Sequence, residues 1–226
     1  MKRLWFLGKS RGGLLLILAL GFCLLTHSTF GLAGERASGE GAGATILEDF
    51  GQPDGDGFPV GWEGSRSTIT AKETYTIQIE DGTHFLQAKG ANQRVYTKNI
   101  SWDPKVQPIL KWRWRVRSIP EDADLVAAVF ANLDTDLVFI PVSTKYVWSA
   151  RKNKGVTTDG GFFSPTEVVI RSGRQPVGEW IEEEVNAYED FKQIHQHEPA
   201  PQAWGISLLG GPGVEIDFGT LEVSGP

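Results

Sequence analysis

Lys111-Trp112-Arg113-Trp114-Arg115-Val116-Arg117 alternates basic and apolar side chains without a break. Successive side chains on a strand point to opposite faces. Leu110, Trp112, Trp114 and Val116 therefore line one face, and Lys111, Arg113, Arg115 and Arg117 line the other. A sheet with one apolar and one polar face has to cover the apolar one. That favours a sheet packed on a second sheet over a parallel sheet buried by helices on both sides.

Similar segments surround this one. Residues 74–80 and 83–88 alternate and are joined at Asp81-Gly82, a dipeptide suited to a primed hairpin turn. Further strands are predicted over 94–99, 109–117, 125–132, 137–142, 144–149, 167–172, 179–185, 204–209 and 214–223. Gly, Pro and Asp separate them, with no long helical stretch between to build parallel crossovers. One short helix is expected after Asn186, which can cap it. Glu189 stands three residues on, Tyr188, Phe191 and Ile194 recur on one face, and Pro199 forbids continuation. The expected fold is all-β, an antiparallel β-sandwich (jelly roll) with one short helix. Residues 149–165, rich in Lys, Gly, Thr and Asp, form the longest irregular stretch, where a rigid β scaffold often carries binding.

The first 33 residues read as an export signal. Lys2, Arg3, Lys9 and Arg11 precede an apolar run of twelve residues, 14–25, and Gly31 and Ala33 suit a signal peptidase. A helix needs roughly 20 residues to span a bilayer, so this run is too short to do so. Phe22 is too bulky a neighbour for Cys23 to be a lipidation site. Cleavage leaves no membrane span, a flexible tether over 34–44 and a single domain over 45–226, in the periplasm or outside the cell. It removes four basic residues and no acidic one, leaving 18 Lys and Arg against 28 Asp and Glu, a net charge of −10. That balance disfavours nucleic acid and anionic membranes as partners. The only cysteine leaves with the signal, so the domain must hold itself by its core.

No catalytic set emerges. Glu215-Ile216-Asp217 is part of a Glu-aliphatic-Asp-x-Glu strand pattern used by retaining glycosidases, but the third carboxylate position holds Gly219. Glu48, Asp49 and Asp217 are candidate ligands for a structural Ca²⁺, because the first and last strands of a sandwich can lie side by side and pool oxygens. Asp54-Gly55-Asp56-Gly57 reads as a turn. Arg113 and Arg115 can pair across strands with Glu182 and Glu184, or face an acidic ligand. His84, His195 and His197 lack the spacing of a helical metal pair. Among Trp62, Trp102, Tyr146, Trp148, Trp180 and Trp204, most should be core, and any left exposed could stack on a sugar.

Phe58-Pro59-Val60-Gly61-Trp62, Leu110 to Val116, Lys145-Tyr146-Val147-Trp148-Ser149, and Gly178-Glu179-Trp180 running on through Asn186, Asp190 and Phe191 together resemble a bacterial exported family called domain of unknown function 3047. The resemblance implies a secreted or periplasmic β-sandwich similar to galactose-binding-like jelly rolls and carbohydrate-binding modules, without established catalytic residues. Relatives usually carry an arginine where Val185 stands, and an Asp/Asn-rich turn in place of Gly210-Gly211-Pro212-Gly213. The expectation that follows is a non-catalytic protein binding a glycan or other extracellular polymer. Tyr146, Trp148, Arg115, Asn186 and Asp190 form the candidate ligand-binding set, beside the 149–165 loop. The alternatives are a glycan-active hydrolase or lyase and a structural subunit of an envelope complex.

Overall fold

A computed structural model describes residues 43–136, 140–161 and 164–226, all within one compact unit, Gly39–Pro226. The signal and most of the tether lie outside the described residues. In chain order the elements are β1 (Thr45–Glu48), β2 (Trp62–Gly64), α1 (Thr68–Ala71), β3 (Tyr75–Glu80), β4 (Thr83–Lys89), β5 (Val95–Thr97) and β6 (Ile109–Ser118). There follow β7 (Leu125–Thr135), β8 (Pro141–Ser149), β9 (Thr157–Thr158), β10 (Thr166–Ser172), β11 (Ile181–Asn186), α2 (Ala187–His195), β12 (Gly205–Gly210) and β13 (Glu215–Ser224). One sheet runs β11-β6-β13-β4-β3, with β1 also on β13, and the other runs β2-β5-β12-β7-β8-β10-β9. The two sheets form the expected sandwich. Among the described residues, no helix is long and apolar enough to cross a membrane.

The deciding stretch behaves as its alternation requires. Leu110, Trp112, Trp114 and Val116 are buried between the sheets. Trp112 meets Trp114 edge-on at 5.5 Å, Trp112 meets Tyr146 at 5.9 Å, and Trp114 meets Trp148 at 5.7 Å. This aromatic quartet ties β6 of one sheet to β8 of the other. It also corrects the expectation for Tyr146 and Trp148, each 0% exposed. Lys145 is directed outward on β8, so its neighbours Tyr146 and Trp148 on either side of Val147 must share the inner face. The 81–82 turn has positive φ at both residues, 52° and 76°, as a primed hairpin demands.

Two features depart from expectation. The outer face of the first sheet is not open: Trp180 lies over Arg113 and Arg115 at 4.9 and 4.5 Å, and Phe85 packs edge-on against Trp180. Arg115 is consequently buried rather than solvated. The second departure is that β10 pairs with β8 in parallel, while every other strand pairing among the described residues is antiparallel. A parallel neighbour requires the chain to travel back the length of the strand before pairing. The segment between β8 and β10 makes that return, which is why it is long, and it delivers Asp159, Gly161 and Ser164 beside the beginning of β8. The short helix α1 and the strands β2 and β9 were not anticipated, and the strands expected over 137–142 and 144–149 are one strand, β8, with residues 137–139 outside the described residues.

Candidate functional site

The return of the 150–165 segment and the placement of α2 together open a cleft of about 860 Å³. Val142 and Ser143 of β8 with Thr166 and Val168 of β10 form its floor. Asp190, Gln193, Ile194 and His195 of α2 form one wall. Thr157, Asp159, Gly161 and Ser164 form the other, with Asp136, Ile140 and Arg94 at the margin.

Each wall is fixed by local chemistry. Asn186 Oδ1 accepts from the Glu189 amide at 3.0 Å, the cap expected from the sequence, and Phe191 is buried against the core. Opposite, Asp159 Oδ1 accepts from the Gly161 amide at 2.8 Å. A Cβ on Gly160 would stand 2.3 Å from the Ser164 carbonyl oxygen, so only glycine lets the loop fold this tightly. At the margin the Asp136 carboxylate accepts from the Ile140 amide at 2.9 Å. Beneath the floor Ser143 donates to Asn132 Oδ1 at 2.6 Å, and Asn132 Nδ2 donates to Ser207 at 2.9 Å.

Asp190 accepts a hydrogen bond from the Tyr146 hydroxyl, 3.0 Å from its Oδ2. Burial pushes the Asp190 carboxyl above its usual range, with the Tyr146 hydrogen bond acting in the opposite direction. Burial also holds the Tyr146 hydroxyl well above its ordinary value, and the Asp190 charge adds to this. His195 is pushed down, first by burial and then by His197, against the pull of Asp159 and Asp134. Its Nε2 has no hydrogen-bond partner among the described residues. The α2 wall thus offers a carboxyl, an amide and an imidazole beside a floor of Val142, Val168, Ser143 and Thr166.

Of the five residues expected to bind ligand, only Asp190 lines the cleft. Tyr146 supports it from the core, Trp148 donates its indole N–H to the Gly173 carbonyl, and Asn186 caps α2. Arg115 lies on the outer face of the first sheet, where its Nε is 2.9 Å from Asp217 Oδ2 and its Nη1 2.6 Å from Glu80. Among the described residues Arg113 and Arg115 do not form the ion pairs expected with Glu182 and Glu184: Arg115 is taken by Asp217 and Glu80, Glu184 pairs with Lys111 at 2.8 Å instead, and Glu183 turns inward to Arg171 and the Trp114 indole.

The proposed Ca²⁺ ligands do not converge. β1 does lie against β13, but Glu48 is in register with Leu221, and Asp217 is four residues further along the strand. Glu48 instead accepts from the Phe50 amide and the Trp62 indole at 2.6 and 2.7 Å, and Asp49 accepts from the Gly51 amide at 2.8 Å. Asp217 is fully buried against Arg115, Arg117 and Gln87. Among the described residues no cluster of three or more His, Cys, Asp or Glu could hold a metal ion.

Sequence reasoning missed Gln193 and His195 as cleft residues. The apolar helix face was legible, but the use of the flanking polar positions depends on where the 150–165 return comes to rest. Of the six aromatics weighed above, Trp62, Trp102, Tyr146 and Trp148 are buried, whereas Trp180 and Trp204 keep partial exposure. Trp204 stacks with Tyr96 at 5.9 Å and 28° between ring planes, at the far side of the second sheet.

The chain belongs to the family described as Protein of unknown function (DUF3047), whose sequence model matches residues 60–129 and 139–210. No curated protein matches it in sequence. Among solved structures it is similar to the K1 cleaved adhesin domain of Lys-gingipain from Porphyromonas gingivalis W83, at 11% identity and a TM-score of 0.43, covering 81% of this chain and 99% of that one. It is also similar to the CBM22-1 xylan-binding domain of Paenibacillus barcinonensis Xyn10C, at 8% identity, a TM-score of 0.38, and 81% and 95% coverage. A third likeness is TmCBM27, a carbohydrate-binding module described for specific mannan recognition, at 10% identity, a TM-score of 0.39, and 82% and 99% coverage. Likenesses this distant do not bear on the ligand of this chain.

Proposed function

We propose that this DUF3047 protein is an exported, non-catalytic binding protein whose cleft between α2 and the β8–β10 pair takes a neutral glycan. The observation that carries the reading is the cleft itself, about 860 Å³ on a rigid sandwich. Its size is within the range of small-molecule and oligomer sites, and it sets the apolar side chains of Ile140, Val142, Val168 and Ile194 among carboxylates, hydroxyls and an amide that can orient a polar ligand. Sugars present C–H faces and many hydroxyls, and carboxylates and amides satisfy hydroxyls from both directions. Asp136, Asp159 and Asp190 face one arginine, Arg94, so the lining favours neutral over polyanionic polymers. The basic and apolar pattern of residues 1–33 supports a periplasmic or secreted location.

A glycan array with the full protein tests the reading. The expected result is retention of neutral oligosaccharides, weakened at least tenfold by Gln193→Ala with an unchanged denaturation midpoint. Retention of anionic polymers alone would refute it, and so would release of shortened oligosaccharides, which would make the protein a hydrolase or lyase.

A further inference from the structure

The geometry points to a second sugar-binding site, separate from the cleft, where Tyr96 and Trp204 form a platform for a pyranose with equatorial hydroxyls. Tyr96 faces outward on β5, because its neighbour Val95 is in the core. Trp204 immediately precedes β12 and lies nearly parallel to it. Both rings keep partial exposure.

The platform is preorganised. Tyr96 donates its hydroxyl to Glu63 Oε2 at 2.5 Å, and the Trp204 amide donates to the Asn132 carbonyl at 2.9 Å. A Cβ on Gly205 would lie 2.2 Å from the Thr97 carbonyl oxygen, so glycine at this position lets β12 come close enough to β5 for the rings to meet. Rings held this way need little ordering on binding, which leaves more of the contact energy as affinity.

Beside the rings is a hollow of about 370 Å³, lined by Lys98, Asp134, Thr135, Gln202 and Trp204 among others. The Lys98 ammonium lies 4.3 Å from the Trp204 ring centroid and pairs with no carboxylate among the described residues. Gln202 spends its amide hydrogens on the Ile100 and Ala203 carbonyls, so its Oε1 can accept. The Lys98 ammonium lies over the π surface of the two rings, 4.3 Å from the Trp204 centroid and 5.9 Å from the Tyr96 centroid. A ligand stacking here displaces it to the edge, where it becomes a donor beside carboxylate and amide acceptors, a border that matches one ligand class well. A pyranose with equatorial substituents offers axial C–H groups to the rings and hydroxyls to the border. A protein partner would call for a wider apolar area than two rings framed by Glu63, Lys98 and Asp134.

The inference shares its ligand class with the cleft reading but stands on different residues, and one titration separates them. The full protein is labelled with 5-fluorotryptophan, the Trp204 resonance is assigned by its loss in Trp204→Phe, and cellohexaose is added. The expected result is a saturable shift of that resonance, preserved in Gln193→Ala. Tyr96→Ala, read by this shift, and Trp204→Ala, read by calorimetric titration of cellohexaose in the Gln193→Ala background, should each bind about tenfold more weakly, the scale of one aromatic contact. An unmoved Trp204 resonance overturns the platform even if the cleft binds, and so does an unchanged affinity in both alanine variants. A Trp204 shift in a protein whose Gln193→Ala variant binds as well as wild type would instead leave the platform standing and refute the cleft.

Discussion

Replacing Asp217 with Asn removes one negative charge from the centre of a buried cluster while keeping its shape. Asp217 is 0% exposed, with its Oδ2 2.9 Å from Arg115 Nε and 2.7 Å from Arg117 Nε, and its Oδ1 accepts from Gln87 at 3.2 Å. Arg115 is itself buried and cannot recover water once its partner is neutral. Breaking a buried pair from one side costs about 3 to 5 kcal/mol, because a charge is left uncompensated. Glu80 still reaches Arg115 at 2.6 Å, which places the expected loss near 3 kcal/mol, the lower end of that range. With a urea m-value of roughly 2 kcal/mol/M, the denaturation midpoint should fall by about 1.5 M. In an Arg115→Met background the same change should cost much less, since the stranded charge is gone. Equal losses in both backgrounds would refute the account. So would a rise in the wild-type midpoint on adding Ca²⁺ that Asp217→Asn abolishes, because Asp217 would then be a metal ligand.

Trp148→Ala, at a fully buried position touching Trp114, should cost about 3 to 5 kcal/mol in chemical denaturation, and an unchanged midpoint would place the side chain outside the core. His195 resists protonation in the folded state, so as pH falls below its ordinary value of about 6.5 the unfolded chain takes up the proton first. Its contribution is then a loss of stability running from about 6.5 down to the lowered folded pKa, and His195→Gln should flatten that part of the midpoint-against-pH curve; identical slopes in the two proteins would contradict it.

Much of the sandwich was legible because period-two alternation is a local signal. The Lys111–Arg117 stretch fixed which tryptophans face inward, and the same rule applied to Lys145 predicts the burial of Tyr146 and Trp148. A long polar loop next to them made their exposure attractive, yet loop proximity says nothing about which face a strand residue occupies. Arg115 failed for a different reason. Its alternation was read correctly, but its burial depends on Phe85 of β4 and on Trp180, the residue just before β11.

The binding geometry was least legible, and the parallel pairing of β8 with β10 explains why. Alternation reports that one face of a strand is uncovered and not the direction of its neighbour, so in a sheet that mixes both directions nothing within residues 166–172 announces which way they run. The direction nevertheless decides where the 150–165 segment goes. An antiparallel β10 would need only a short turn after Ser149, and Asp159 and Ser164 would have no reason to approach β8 near Val142. In the parallel arrangement the chain must come back, and its polar residues arrive opposite Asp190, Gln193 and His195. The cleft is therefore a consequence of topology acting on residues that are individually unremarkable. The Tyr96–Trp204 platform has a similar origin, since a glycine at 205 is legible as permissive only once β5 and β12 are known to be neighbours.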